Sequence, residues 1–142
     1  MTKDVVSQEH TANKFFPSVD PGVKPFGSRI LVQIRAARSI SAGGIILTDN
    51  VKDTERDNTQ VAKVLAIGPL AYRNRNTMEP WPEGAWCHEG QYVFVPKYGG
   101  VRFERNVPPG IESYDDVVQF AIIDDLNVIG AVDDPSAFKA FV

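Results

Sequence analysis

The chain has 142 residues, enough for one domain with its own hydrophobic core. Its net charge is −3 and its sequence pI is about 5.3, which argues against a nucleic-acid binder and against attraction to anionic membranes. No apolar run approaches the roughly 20 residues of a membrane-spanning helix, and the N-terminus lacks a signal-peptide core. The single cysteine, Cys87, excludes an intrachain disulfide, so we expect a cytoplasmic protein.

The first 24 residues are polar and rich in turn-forming residues, with an aromatic pair at Phe15 and Phe16. We interpret them as an N-terminal extension and expect a mobile tail. The alternative is an arm whose two phenylalanines dock on a neighbouring subunit.

Two stretches alternate between apolar and polar positions in the way that predicts β-strands. Residues 30–35 predict a strand with one buried face. That face is Ile30, Val32 and Ile34, and the opposite face is Leu31, Gln33 and Arg35. Residues 61–67 predict a strand with both faces partly covered, which ends at Gly68-Pro69. Its faces are Val61, Lys63, Leu65 and Ile67 on one side, and Ala62, Val64 and Ala66 on the other.

A long polar loop, residues 39–60, joins these two strands and carries one small apolar patch. Gly43-Gly44 loosens the backbone, Ile45-Ile46-Leu47 follows, and a charged run closes the segment. One interpretation is a glycine turn followed by a short strand over residues 45–48. The other is a flexible tether that presents the aliphatic triplet to a hydrophobic groove on a partner, since loops of this length are usually functional or disordered.

Residues 70–89 break the strand pattern and predict an irregular hairpin or excursion. Cys87-His88 raises the question of a metal site, but such a site needs three or four ligands and the other histidine is His10 in the N-terminal extension. We therefore expect a surface pair, no metal site and no cofactor.

The rest of the chain predicts further strands and completes an all-β fold. Residues 90–96 are a strand, Lys97 to Gly100 form a tight turn, and residues 101–104 return as its partner strand. Residues 117–122 form another strand, and Asp124 caps one helical turn. Residues 128–132 are the closing strand, and residues 133–142 are an added tail.

The segment from Ser41 to Thr48 resembles the mobile loop of the GroES-type co-chaperonins, the small ring proteins that cap the large chaperonin. Weaker matches at Gly68-Pro69, Tyr98-Gly99 and residues 128–132 follow in the family's order. The resemblance covers residues 25–132 and implies a small GroES-like β-barrel with a mobile loop (39–60) and a roof hairpin or insert (70–89). The longer inserts and ends are typical of a divergent member, such as one encoded by a bacteriophage.

The resemblance also implies the function and its residues. The protein would cap a GroEL-type chaperonin in an ATP-dependent cycle, assist protein folding and carry no catalysis. The implied chaperonin-binding residues are Gly43, Gly44, Ile45, Ile46, Leu47 and Thr48. The implied subunit interface of a heptameric ring is Ile30, Val32, Ile34, Val128, Ile129 and Val132, because these terminal strands would otherwise leave open sheet edges.

Three other classes compete with this interpretation. An enzyme is disfavoured because we find no phosphate-binding glycine motif and no triad, and carboxylate pairs such as Asp115-Asp116 are typical of solvated or capping residues. A small β-barrel nucleic-acid module would use an aromatic and basic group for stacking and phosphate contact, namely Tyr72, Trp81, Trp86, Arg73 and Arg75. A structural virion protein with a barrel fold is the third class.

Overall fold

The structure is a computed structural model that describes residues 13–37 and 59–136. Within these ranges the chain forms six strands, a single 3₁₀ turn and a short helical stretch at residues 13–15. The strands are β1 (Arg29–Ile34), β2 (Val61–Ile67), β3 (Tyr92–Phe94), β4 (Val101–Asn106), β5 (Val117–Asp124) and β6 (Gly130–Ala131), and the turn is Asp125–Asn127. This content confirms the predicted all-β fold. No helix in the described part of the chain is long and apolar enough to cross a membrane.

The strands form one antiparallel sheet in the order β4-β5-β1-β2-β3-β6. β1 lies in the middle, where it pairs with β5 on one edge and with β2 on the other. The expectation that β1 leaves an open edge for a neighbouring subunit is therefore wrong, because both of its edges are occupied within the chain. β4 and β6 are the outermost strands of this order.

β1 is buried on both faces rather than one. Ile30, Val32 and Ile34 are at most 1% exposed and belong to the main core, as predicted. The opposite face is also covered, since Gln33 and Arg35 are each only 3% exposed. The prediction of a single buried face is wrong because a distant segment, residues 13–24, folds over the polar face.

That segment is not a free tail over its described part. Phe15 and Phe16 are 1% and 4% exposed and form a second cluster with Val61 and Val132 of the same chain. The backbone carbonyl of Phe15 accepts the Ala36 N–H at 2.9 Å. Both hypotheses for the two phenylalanines, a mobile tail and docking on a neighbour, are corrected by this intrachain packing.

A bulge in β2 changes which residues share a face. Leu31 pairs with Ala66 but Val32 pairs with Val64, so Leu65 is an extra residue between them. Side-chain parity reverses at such a bulge. Leu65 packs against a third cluster, formed by Leu31, Val118 and Phe120 on the opposite face of the sheet, whereas Ile67 packs on the main core. The prediction that Leu65 and Ile67 share a face is therefore wrong.

The turn after β3 does not make a hairpin. β4 pairs with β5 along its whole length, whereas β3 pairs with β2 and β6. Gly100 has φ +70°, and a Cβ there would overlap the carbonyl of Ile122, so the chain crosses to β5 in close backbone contact. The predicted pairing of residues 90–96 with 101–104 is thus corrected.

The predicted helical turn after β5 is present as the 3₁₀ turn. Asp124 occupies its N-cap position, but its side chain makes no capping hydrogen bond. The carboxylate of the next residue, Asp125, accepts a hydrogen bond instead, from the backbone N–H of Tyr72 in the insert (residues 70–89).

Candidate functional site

The predicted chaperonin-binding residues, Gly43 through Thr48, lie outside the described residues, as does most of the 39–60 loop. The structure does describe the two ends from which this segment departs. β1 and β2 are antiparallel neighbours with Ile34 opposite Ala62. Residues 37 and 59 therefore lie just beyond the ends of two adjacent strands, at the same end of the sheet.

The departing end after β1 is tightly held. Arg35 is buried; its N–H donates to the Val61 carbonyl at 3.0 Å, and its Nη1 donates to the Pro135 carbonyl at 2.7 Å. Its guanidinium lies 5.3 Å from the centroid of the Phe15 ring, a cation–π arrangement. Ala37 is fully buried. Arg35, which the sequence analysis placed on the polar face of the strand, instead joins the N-terminal segment, the end of β1 and the C-terminal segment.

The returning end before β2 is also fixed. Thr59 is 1% exposed, and the carbonyl of Gln60 accepts the Val95 N–H at 2.7 Å. The loop is thus bounded on both sides by buried, hydrogen-bonded backbone.

The insert, residues 70–89, covers one end of the main core. Arg73 and Pro80 form an isolated antiparallel bridge, and Trp81 N–H donates to the Tyr72 carbonyl at 3.1 Å, which confirms the predicted irregular hairpin. Tyr72 is 2% exposed. The centroid of its ring lies 5.4 Å from that of Trp81 and 5.5 Å from that of Trp86.

Asp125 connects this insert to the sheet. Its Oδ2 accepts the Tyr72 N–H at 2.9 Å, and its backbone carbonyl accepts the Tyr72 hydroxyl at 3.0 Å. Arg75, whose side chain is half exposed, approaches Oδ1 at 3.4 Å. A carboxylate that is completely buried needs such donors, because burial without them is strongly unfavourable.

The same geometry disfavours the nucleic-acid alternative. Tyr72 is buried and cannot stack on a base, while Arg73 and Arg75 donate to the backbone carbonyls of Met78 and Leu70, each at 3.0 Å. A stacking platform needs exposed rings beside cations that can reach phosphates.

The prediction that Cys87 and His88 form a surface pair is wrong for Cys87, because the two side chains lie in different environments. The Cys87 thiol is 2% exposed and lies 3.4 Å from the Tyr72 hydroxyl, whereas His88 is exposed. Because the hydroxyl proton goes to the Asp125 carbonyl, the thiol is the donor in that contact. Burial raises the pKa of the Cys87 thiol, which keeps it protonated. Among the described residues no group of three or more histidine, cysteine or acidic side chains could hold a metal ion.

The structure places the predicted interface residues in two very different environments. Ile30, Val32, Ile34, Val128 and Val132 are all buried within the chain. Ile129 is 65% exposed, and it lines an apolar groove of about 250 Å³ with Trp86 and Val128 beside β6. Of this set, only Ile129 presents a large apolar surface to solvent.

Sequence reasoning missed Arg35 and Asp125 as connecting residues. Asp125 lies 53 positions from Tyr72 and Arg35 lies 100 positions from Pro135, so no local pattern joins these pairs. Each is a charged residue directly after an apolar strand. A charged side chain next to a buried strand needs a partner, and this was the feature of the sequence that could have indicated their role.

A family model described as the chaperonin 10 Kd subunit matches residues 22–118 of the chain. The chain is similar to the co-chaperonin GroES of Methylacidiphilum infernorum, with 32% identity over 82 residues, 58% of this chain and 75% of that protein. It is also similar to the co-chaperonin GroES of Corynebacterium jeikeium, with 32% identity over 84 residues, 59% of this chain and 77% of that protein. The co-chaperonin GroES of Listeria monocytogenes is 31% identical over 78 residues, 55% of this chain and 74% of that protein.

Proposed function

Because the chain belongs to the chaperonin 10 kDa subunit family, we propose that it is a co-chaperonin that caps the folding chamber of a GroEL-type chaperonin and assists protein folding. The observation that carries this proposal is the family match over residues 22–118, which spans strands β1 to β4, the start of β5 and the 38–58 segment. The chain has no catalytic role of its own in this scheme, and ATP hydrolysis belongs to the chaperonin.

We assign Ile45, Ile46 and Leu47 as the anchor that enters an apolar groove on the chaperonin, with Gly43-Gly44 as a hinge and Thr48 as the end of the contact. Two features support this assignment. The aliphatic triplet is the only apolar run in an otherwise polar loop sequence. Arg35 and Thr59, on the two sides of the loop sequence, are both buried, and the N–H of Arg35 donates to the Val61 carbonyl, so the loop sequence joins two fixed points of the described chain.

The binding energy of one loop is modest in this scheme. Burying three aliphatic side chains contributes roughly 1.5–3 kcal/mol each, while ordering a flexible backbone costs roughly 1–2 kcal/mol per residue. A dozen ordered residues would cancel most of the gain. Several loops on one ring add through their effective concentration, so the cap binds firmly yet releases when the chaperonin changes state.

Ring assembly is part of the proposal. We propose a heptamer that acts in the cytoplasm of a bacterial host on the nucleotide-bound chaperonin. The outer position of β6 in the sheet and the exposed Ile129 beside it support a subunit contact at this edge. The proposed barrel unit spans residues 25–132, flanked by the N-terminal extension and the tail.

The anchor is tested by Ile46→Asp in a chaperonin pull-down with ATP, followed by refolding of a client that depends on the chaperonin. An unpaired charge in an apolar groove is strongly unfavourable, and the penalty repeats at every engaged loop. We expect capping and refolding to be lost while the oligomer remains assembled.

Val51→Asp is the matched control, because it places the same charge in the same loop outside the triplet. It should bind and support refolding like the wild type. If Ile46→Asp behaves as the control does, the anchor lies elsewhere in the chain.

A further inference from the structure

A groove of about 570 Å³ lies on the outer face of the sheet, between the N-terminal segment and strands β1 and β2. Its volume falls in the range of sites that hold a ligand or a short peptide. Its lining is mostly apolar, and the residues that matter here are Phe16, Val19, Leu31, Leu65, Ala66 and Ile111. Glu112 and Lys63 add one acidic and one basic side chain to it.

The C-terminal segment of the chain runs up to the end of this groove. Val132 packs in the same cluster as Phe16, which is a wall of the groove. Three residues later the carbonyl of Pro135 accepts a hydrogen bond from Arg35. Gln33, which also lines the groove, is two residues from Arg35 on the same face of β1, a separation of about 7 Å along the strand.

The sequence beyond this point is apolar. Residues 137–142 are Ala-Phe-Lys-Ala-Phe-Val, with Lys139 as the one charged residue. They lie outside the described residues. Six residues can span about 20 Å when extended, enough to reach along the groove from Ser136. Two phenylalanines and a valine left in water would forgo roughly 1.5–3 kcal/mol each of burial free energy, so a covered position nearby is favoured.

We propose that the outer groove is the docking site of the chain's own C-terminal tail, residues 137–142. Phe138 and Phe141 fill the apolar space over Leu31 and Leu65, and Lys139 lies toward Glu112. The tail then holds the N-terminal segment against β1 and β2 from outside. This inference is independent of the proposed function, since a docked tail requires no chaperonin.

Cysteine cross-linking tests this placement in the full-length protein. The pair Leu65→Cys and Phe138→Cys should form a disulfide under mild oxidation, and the product should migrate as a single chain on a non-reducing gel. Native Cys87 stays in place because it is only 2% exposed. A second pair, Val19→Cys with Phe141→Cys, covers the case in which the first pair disturbs folding.

The matched control is Leu126→Cys with Phe138→Cys, since Leu126 is 60% exposed and lies outside the groove. Random encounters would favour this more accessible position over Leu65. Docking predicts that the Leu65 pair reacts at least tenfold faster than the control. Equal rates, no disulfide in either groove pair, or a disulfide that joins two chains would each overturn docking of the chain's own tail.

Discussion

Tyr72 connects the insert to the 3₁₀ turn through both its backbone N–H and its hydroxyl. Its φ of 58° is left-handed, which is unusual for a residue other than glycine and costs roughly 1–3 kcal/mol. Two hydrogen bonds to Asp125 and the packing of Trp81 and Trp86 hold it there. The sequence indicated an irregular aromatic segment, but it could not indicate that Tyr72 is buried, because its bonded partner, Asp125, lies in the 3₁₀ turn after β5, 53 residues away.

The free energy of unfolding at alkaline pH should depend on the buried Tyr72 hydroxyl and Cys87 thiol. Burial raises the pKa of Tyr72 above its ordinary value of 10.0, and burial also raises the pKa of Cys87 above 9.0. The unfolded chain therefore releases these protons first, so it binds fewer protons than the native state. The free energy of unfolding is then constant below about pH 9 and falls above it, by up to about 1.4 kcal/mol per pH unit for each group.

Denaturant unfolding between pH 7 and 11 measures this fall. Cys87→Ala should remove the part that begins near pH 9. Tyr72→Phe should reduce the part that begins near pH 10, to which Tyr92 also contributes because burial raises its pKa. A wild-type unfolding free energy that stays level up to pH 11 would show that neither group is held protonated by burial.

At the scale of elements, alternation in the sequence located the strands well. β2 was predicted with its observed bounds, and β1 and β5 were each placed within two residues of their observed ends. The sequence could not show what covers each strand. Burial of Gln33 and Arg35 depends on residues 13–24 folding back, and the bulge at Leu65 depends on register with β1. The pairing of β4 with β5 rather than with β3 likewise depends on contacts between distant parts of the chain, which local patterns do not show.

The N-terminal segment should contribute to the stability of the subunit. Phe15→Ala removes a ring that is 1% exposed, so we expect a loss of about 3–5 kcal/mol in the free energy of unfolding. Phe26→Ala is the matched control, because Phe26 is 79% exposed and its truncation should change stability by less than about 0.5 kcal/mol. Equal effects of the two substitutions in chemical denaturation would mean that residues 13–24 do not pack as described.

At the scale of the whole molecule, fewer of the predicted interface residues are exposed for a subunit contact than the sequence suggested. Alternating aliphatics mark a buried face, but they do not say whether the burial is within a chain or between chains. In this fold most of those residues fill the subunit's own core, and the exposed candidate is Ile129 beside the outer strand β6.

Ile129→Asp should therefore disrupt ring assembly without unfolding the subunit. A charge placed in an apolar contact between subunits is unfavourable and repeats at every interface of the ring. Leu126→Asp is the control, since Leu126 is similarly exposed, at 60%, and lies outside the groove beside β6. Sedimentation should show smaller species for Ile129→Asp alone. An intact ring in that variant would place the subunit contact on another surface.

The central claim is tested most directly by native mass spectrometry of a GroEL-type chaperonin mixed with this protein, with and without ATP. Only with ATP should the chaperonin gain the mass of a ring of seven subunits of 15.7 kDa each. If the chaperonin gains no mass in either condition, although the ring itself is intact, the protein does not cap a chaperonin and the central claim fails.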